Sequence, residues 1–155
     1  MDARIGGMTL CDYFSAADDQ AAVAVVESPG GPGQAALDVV SLKGIDPVVA
    51  IAQLEAIATD CSYEEACQRP RSGQLLSRPD GDGPLVFSLS DTLVEALVTA
   101  TQNDLRRIAE PWSVTAELQQ SQVDAGTAAG ILEALAGLAQ RARLGGLRLY
   151  CWWSL

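Results

Sequence analysis

The chain of 155 residues contains no histidine. That single absence removes Ser-His-Asp and Cys-His catalysis, imidazole metal ligation and histidine pH switching. Lysine is nearly absent too. Lys43, followed by Gly44, is the one amine available for a Schiff base, and no apolar run surrounds it to strip its water. Positive charge is scarce overall: ten Lys and Arg stand against twenty Asp and Glu, a net charge of -10. Nucleic acids and anionic membranes are bound through a basic footprint that releases counterions, so neither is expected as a partner. No apolar run approaches the roughly 18 residues of a membrane-spanning helix.

Cysteine is sparse and badly spaced for metal. Cys11, Cys61, Cys67 and Cys151 lie far apart except for the middle two, which five residues separate. A zinc knuckle needs a tighter pair, so no metal and no cofactor are expected, and each thiol reads as a small buried hydrophobe. Met1 to Leu10 lacks the apolar stretch of a secretory signal, which points to a cytoplasmic protein with reduced thiols.

Apolar material is plentiful, at 48% of residues with a mean hydropathy of +0.14. One core and one domain over residues 1–155 are expected, with 1–7 as a loosely held extension before Met8.

Along the chain, Thr9 to Phe14 reads as a short strand. Ser15 with Asp18 three residues later resembles a capping box, opening a helix from Ala16 to about Glu27 that Ser28 to Gly33 (SPGGPG) stops. Leu37 to Leu42 fits a strand or a short helix. Asp46-Pro47 opens a helix carrying Val48, Ile51, Leu54, Glu55 and Ile57 to Thr59. Ser62-Tyr63-Glu64-Glu65 caps a shorter helix that ends before Pro70.

Two apolar segments, Gln74 to Leu76 and Leu85 to Leu89, flank Arg78 to Pro84 (RPDGDGP) and read as a hairpin. Ser90-Asp91 caps one long helix through Ile108 that Pro111 ends before Trp112. Asp124 starts the last helix, and Gly145-Gly146 closes it behind Arg141 and Arg143. Leu147 to Leu155 is apolar on both faces, which places it centrally in a sheet.

Few motifs carry chemistry. SPGGPG lacks the Lys and Ser/Thr of a phosphate loop. Asp80 and Asp82 lack the glutamate at the twelfth position of an EF-hand loop. The carboxylate pairs Asp18-Asp19 and Glu64-Glu65 fall at helix starts, where they suit the dipole better than acid–base work. Trp112 is a candidate partner anchor at a helix exit, with burial over the core as its competing reading. Arg69, Arg71 and Arg78 could form an anion patch, or could pair with the protein's own carboxylates.

Tyr13-Phe14, Leu42 to Val49 (LKGIDPVV) and Leu149 to Leu155 (LYCWWSL) resemble segments of a group of uncharacterised actinobacterial proteins. More distantly the order of elements resembles the YfbM-like family of unknown function. Neither resemblance implies an activity or brings catalytic residues with it.

The expectation is an α+β domain: a single mixed sheet packed by four to five helices, the C-terminal helix feeding a central C-terminal strand. The function expected is a non-enzymatic cytosolic protein-interaction module whose partner is another protein. Two alternatives stand beside it. One is an immunity-type protein that neutralises a basic toxin domain by charge; the other is a small-molecule enzyme using carboxylates or a cysteine.

Overall fold

The computed structural model describes residues 10–27, 31–32, 37–77 and 84–154. The extension expected at 1–7, the tip 78–83 with Arg78, Asp80 and Asp82, and most of SPGGPG lie outside them. Among the described residues five strands form one sheet: β1 Leu10–Ala16, β2 Val39–Ser41, β3 Gln74–Leu75, β4 Leu85–Ser88 and β5 Arg148–Ser154. Their order is β2-β1-β5-β4-β3. The α+β class holds, with the C-terminal strand at the centre.

Every pairing among the described residues is antiparallel, whereas a mixed sheet was expected. The two ends of the chain make its spine, Tyr13 facing Cys151 and Phe14 facing Tyr150. None of the neighbouring strands is joined by a parallel crossover, so the helices gather mainly on one face instead of alternating between two.

Seven α-helices are present among the described residues: α1 Asp19–Ala24, α2 Val49–Thr59, α3 Tyr63–Gln68, α4 Asp91–Thr99, α5 Gln102–Ser113, α6 Ala116–Gln120 and α7 Ala125–Leu144. That exceeds the four or five expected, for identifiable reasons. The long helix expected from Ser90 breaks at Ala100, whose backbone is extended. Thr101 then opens α5 with a capping box: its hydroxyl accepts from the Asp104 N–H while the Asp104 carboxylate accepts from the Thr101 N–H. Pro111 lies inside α5 and does not end it. Only the last turn remains at that point, so the missing N–H costs a single helical bond.

Other start signals hold, except that α2 begins at Val49 behind Val48, two residues later than a helix opened by Asp46 with Pro47 in first place. Ser62, Ser90 and Asp124 cap α3, α4 and α7 through side-chain oxygens, and Asp46 accepts from the N–H groups of Val48 and Val49 at the start of α2. At the first helix the cap is Asp18, not Ser15, because β1 continues to Ala16. Ser15 is buried in the strand, and the Asp18 carboxylate takes the Ala21 N–H.

Alternation along β5 divides the core. Leu149 and Cys151 join Cys11, Tyr13 and the inner sides of α2, α4, α5 and α7 in the larger cluster, with Trp153 packed against it. Tyr150 and Trp152 join Phe14, Ala22, Val25 and Val86 in a smaller cluster on the other face. Gly31 lies flat on that second face at φ +77; a Cβ there would stand 2.9 Å from the Trp152 ring.

Candidate functional site

Trp112 is fully buried, and its indole Nε1 donates to the Ala50 carbonyl at 3.0 Å. It ties α5 to α2 inside the core, so of its two sequence readings the structure carries burial. Arg69 and Arg71 are separate centres, each engaged by the protein's own carboxylates.

Arg69 leaves the end of α3 and reaches the side of α2. Its Nη1 donates to Glu55 Oε2 and to Thr59 Oγ1, both at 2.9 Å. The Glu55 carboxylate makes Arg69 harder to deprotonate than a free guanidinium. Glu55 is only 1% exposed, yet every oxygen is occupied: Ser90 Oγ donates to Oε1 at 2.5 Å, and Thr92 Oγ1 donates to Oε2. A buried carboxylate with a cation and two hydroxyls as partners is a structural joint between α2, α3 and the start of α4.

Arg71 lies across the second face of the sheet. Its guanidinium makes a two-pronged contact with Asp19, at 2.9 and 3.2 Å, and lies 5.8 Å from the centre of the Tyr150 ring. The Tyr150 hydroxyl donates to Asp19 Oδ1 at 2.8 Å. Hydrogen bonding from Arg71, then from Tyr150, holds the Asp19 carboxyl below its usual range. Burial first, and the Asp19 carboxylate second, push the Tyr150 phenol up to about 12. Arg71 has φ +70, a strained backbone for a side chain of this size, and its carbonyl accepts from Ser88 Oγ at 2.7 Å. The anion-patch reading therefore meets two arginines that are already neutralised, while Arg78 lies outside the described residues.

The cysteines form no disulfide among themselves. Burial pushes the Cys151 thiol well above its ordinary range, away from the reactive thiolate. Among the described residues no group of three or more Cys, Asp or Glu is placed to hold a metal ion. No described helix is long and apolar enough to cross a membrane.

What the sequence did not single out is a groove of about 540 Å3. The C-terminal ends of α2 and α4 and the first half of α5 enclose it. Ile57, Ala96, Ala100 and Ile108 supply apolar lining, and Asp60 and Asp104 supply carboxylates. Asp60 ends α2 in the left-handed conformation at φ 55, which aspartate tolerates, and its N–H closes onto the Ala56 carbonyl. Asp104 is held below the ordinary carboxyl range, first by the Thr101 backbone and hydroxyl and then by Arg107.

Neither α2 nor α4 has a basic residue in its last turn. Both therefore bring a negative dipole end to the same place, that of α2 shared with the Arg69 guanidinium, which donates to Thr59 in its last turn. Arg107 is the cation in the lining, paired with Asp104 and largely in solvent. A second groove of about 220 Å3 adjoins at Ala100, between α5 and α7, with Glu133 in its wall.

No protein-family model, no curated protein and no solved structure matches the chain. Roles are therefore assigned from the geometry of this chain alone.

Proposed function

We propose that the protein is a non-enzymatic interaction module whose acidic surface receives a basic protein partner. The observation that carries this reading is the fate of the arginines. Arg69, Arg71, Arg107, Arg141, Arg143 and Arg148 are each paired with a carboxylate of the same chain, which leaves Lys43 and Arg106 as the exposed cations without an ion pair among the described residues. Glu27, Asp60, Glu64, Glu110 and Glu133 are exposed and make no ion pair among the described residues. The surplus of the -10 charge is thus presented to solvent, where it steers an oppositely charged partner and discourages like-charged ones.

The buried groups that could do chemistry are already engaged or enclosed. Glu55 is saturated by hydrogen bonds, and Cys11 and Cys151 are sealed in the core. An immunity-type role is the form of this reading in which the basic partner is a toxin domain.

The test uses a labelled amphipathic helical peptide of arginine and leucine, beside a counterpart with glutamate for every arginine. Fluorescence anisotropy is read at about 50 and about 300 mM salt, which shortens the screening length by more than half. The arginine peptide is expected to bind at low salt and weaken steeply at high salt, and the glutamate peptide to stay free. Equal behaviour of the two peptides, or no binding of the arginine peptide, overturns the reading.

A further inference from the structure

We infer that the groove between α2, α4 and α5 is where the partner docks, and that its occupant is an amphipathic helix presenting arginine or lysine beside apolar side chains. The inference rests on the interaction-module reading and gives it a location and a chemistry. Three independent features of the groove favour that occupant.

Charge is the first. Two helix C-termini meet without a basic residue in either last turn, and Asp60 adds a full negative charge beside them. Each such dipole end attracts a cation placed near its final carbonyls. A guanidinium suits the position best, because its planar fork can reach carbonyls and a carboxylate together.

Shape and lining are the second. About 540 Å3 accommodates several side chains, and Ile57 with Ile108 provides apolar surface beside the carboxylates. Both isoleucines are only partly buried, so the groove keeps apolar surface that an incoming helix would cover. A free metal ion or a small inorganic cation would leave that surface uncovered.

The third is rigidity. Trp112 fixes α5 to α2 through the Ala50 carbonyl, Glu55 fixes α2 to the start of α4, and the Thr101–Asp104 box fixes the start of α5. Docking would find the walls already in place, without an ordering cost. Arg107 in the lining and Arg69 beside the last turn of α2 oppose a cationic guest, and both are paired with carboxylates. Arg107 sits on the rim as a group that Asp104 partly neutralises.

These features predict an unusual set of signs, read with the arginine–leucine peptide. Asp60→Asn removes a charge while keeping a residue that tolerates the left-handed backbone, and should weaken binding about two- to fivefold. Thr99→Lys places a cation at the end of α4. It should raise stability slightly by compensating that helix dipole and still weaken binding by a similar factor. Arg107→Ala, at a largely exposed side chain, should tighten binding about twofold. Glu27→Gln, at an exposed carboxylate in the turn after α1 and outside the groove lining, measures the diffuse contribution of surface charge and should weaken binding clearly less than Asp60→Asn.

Circular dichroism melting of each variant separates unfolding from lost affinity. If the wild type binds and all four variants bind alike, the peptide sits elsewhere on an acidic protein, and the groove inference falls while the module reading stands. If the wild type does not bind the arginine peptide, the module reading falls first. Weakening by Asp60→Asn and Thr99→Lys, together with tightening by Arg107→Ala, is the result expected.

Discussion

Replacing Trp112 with alanine puts the frame of the groove under direct load. Its indole has no exposed surface and packs where α5 meets α2. A tryptophan buries on the order of 200 Å2, which at about 25 cal/mol per Å2 gives roughly 5 kcal/mol as an upper figure. Measured large-to-small changes of this kind cost about 3–5 kcal/mol, including the void left behind.

The hydrogen bond from Nε1 to the Ala50 carbonyl adds little to that figure. The carbonyl is in the first turns of α2 and keeps its helical partner, so no buried acceptor is orphaned. Trp112→Ala is therefore expected to cost about 4 kcal/mol, a large share of the 5–15 kcal/mol typical of a domain. Trp112→Phe keeps a ring and should cost roughly 1–2 kcal/mol. With a urea slope of about 2 kcal/mol per M, the two midpoints should fall by about 2 M and under 1 M. Equal midpoints for wild type and Trp112→Ala would place the indole at the surface and refute the reasoning.

Trp153 is only partly buried, although it packs on the main cluster with Phe87 at 5.6 Å, so Trp153→Ala should cost about 1–3 kcal/mol by urea titration, less than at Trp112. Thr101→Ala removes half of the capping box and should cost about 1 kcal/mol in the same assay, with amide exchange rising first in the opening turn of α5. Asp19 has a lowered carboxyl pKa when folded, so its contribution is complete above the unfolded value near 4 and is lost as pH falls below it. Stability of Asp19→Asn should accordingly depend less steeply on pH between about 5 and 3 than that of the wild type. Tyr150 has the opposite sign: its folded value of about 12 lies above the unfolded value near 10, so stability is lost as pH rises through that interval, and Tyr150→Phe should flatten the alkaline limb.

Much of the scaffold was legible because its signals are local. Ser62, Ser90 and Asp124 announce helix starts by residue type and spacing, and the two apolar faces of β5 announce a central strand. The break at Ala100 was equally local but unmarked by glycine or proline. Its sign is Thr101 with Asp104 three residues on, which a continuous apolar stripe on either side conceals. Pro111 misled in the other direction, since a proline near a helix end costs one bond and need not stop the helix.

The pairings were not legible at all. Arg71 meets Asp19 across 52 positions and Glu55 meets Ser90 across 35, and only the closed fold brings them together. The groove belongs to the same category. Asp60 and Thr99 end two helices that nothing in the sequence places side by side, and a missing basic residue in each last turn matters only once they meet.

The claim that a cationic helix docks in this groove is tested most directly by mapping amide shifts on 15N-labelled protein titrated with the arginine–leucine peptide. The account predicts that perturbations concentrate at Ile57, Asp60, Thr99, Ala100 and Ile108, and fade as salt rises. Perturbations centred instead on Asp19, Arg71 and the second face of the sheet, or spread evenly over the exposed carboxylates, would contradict it.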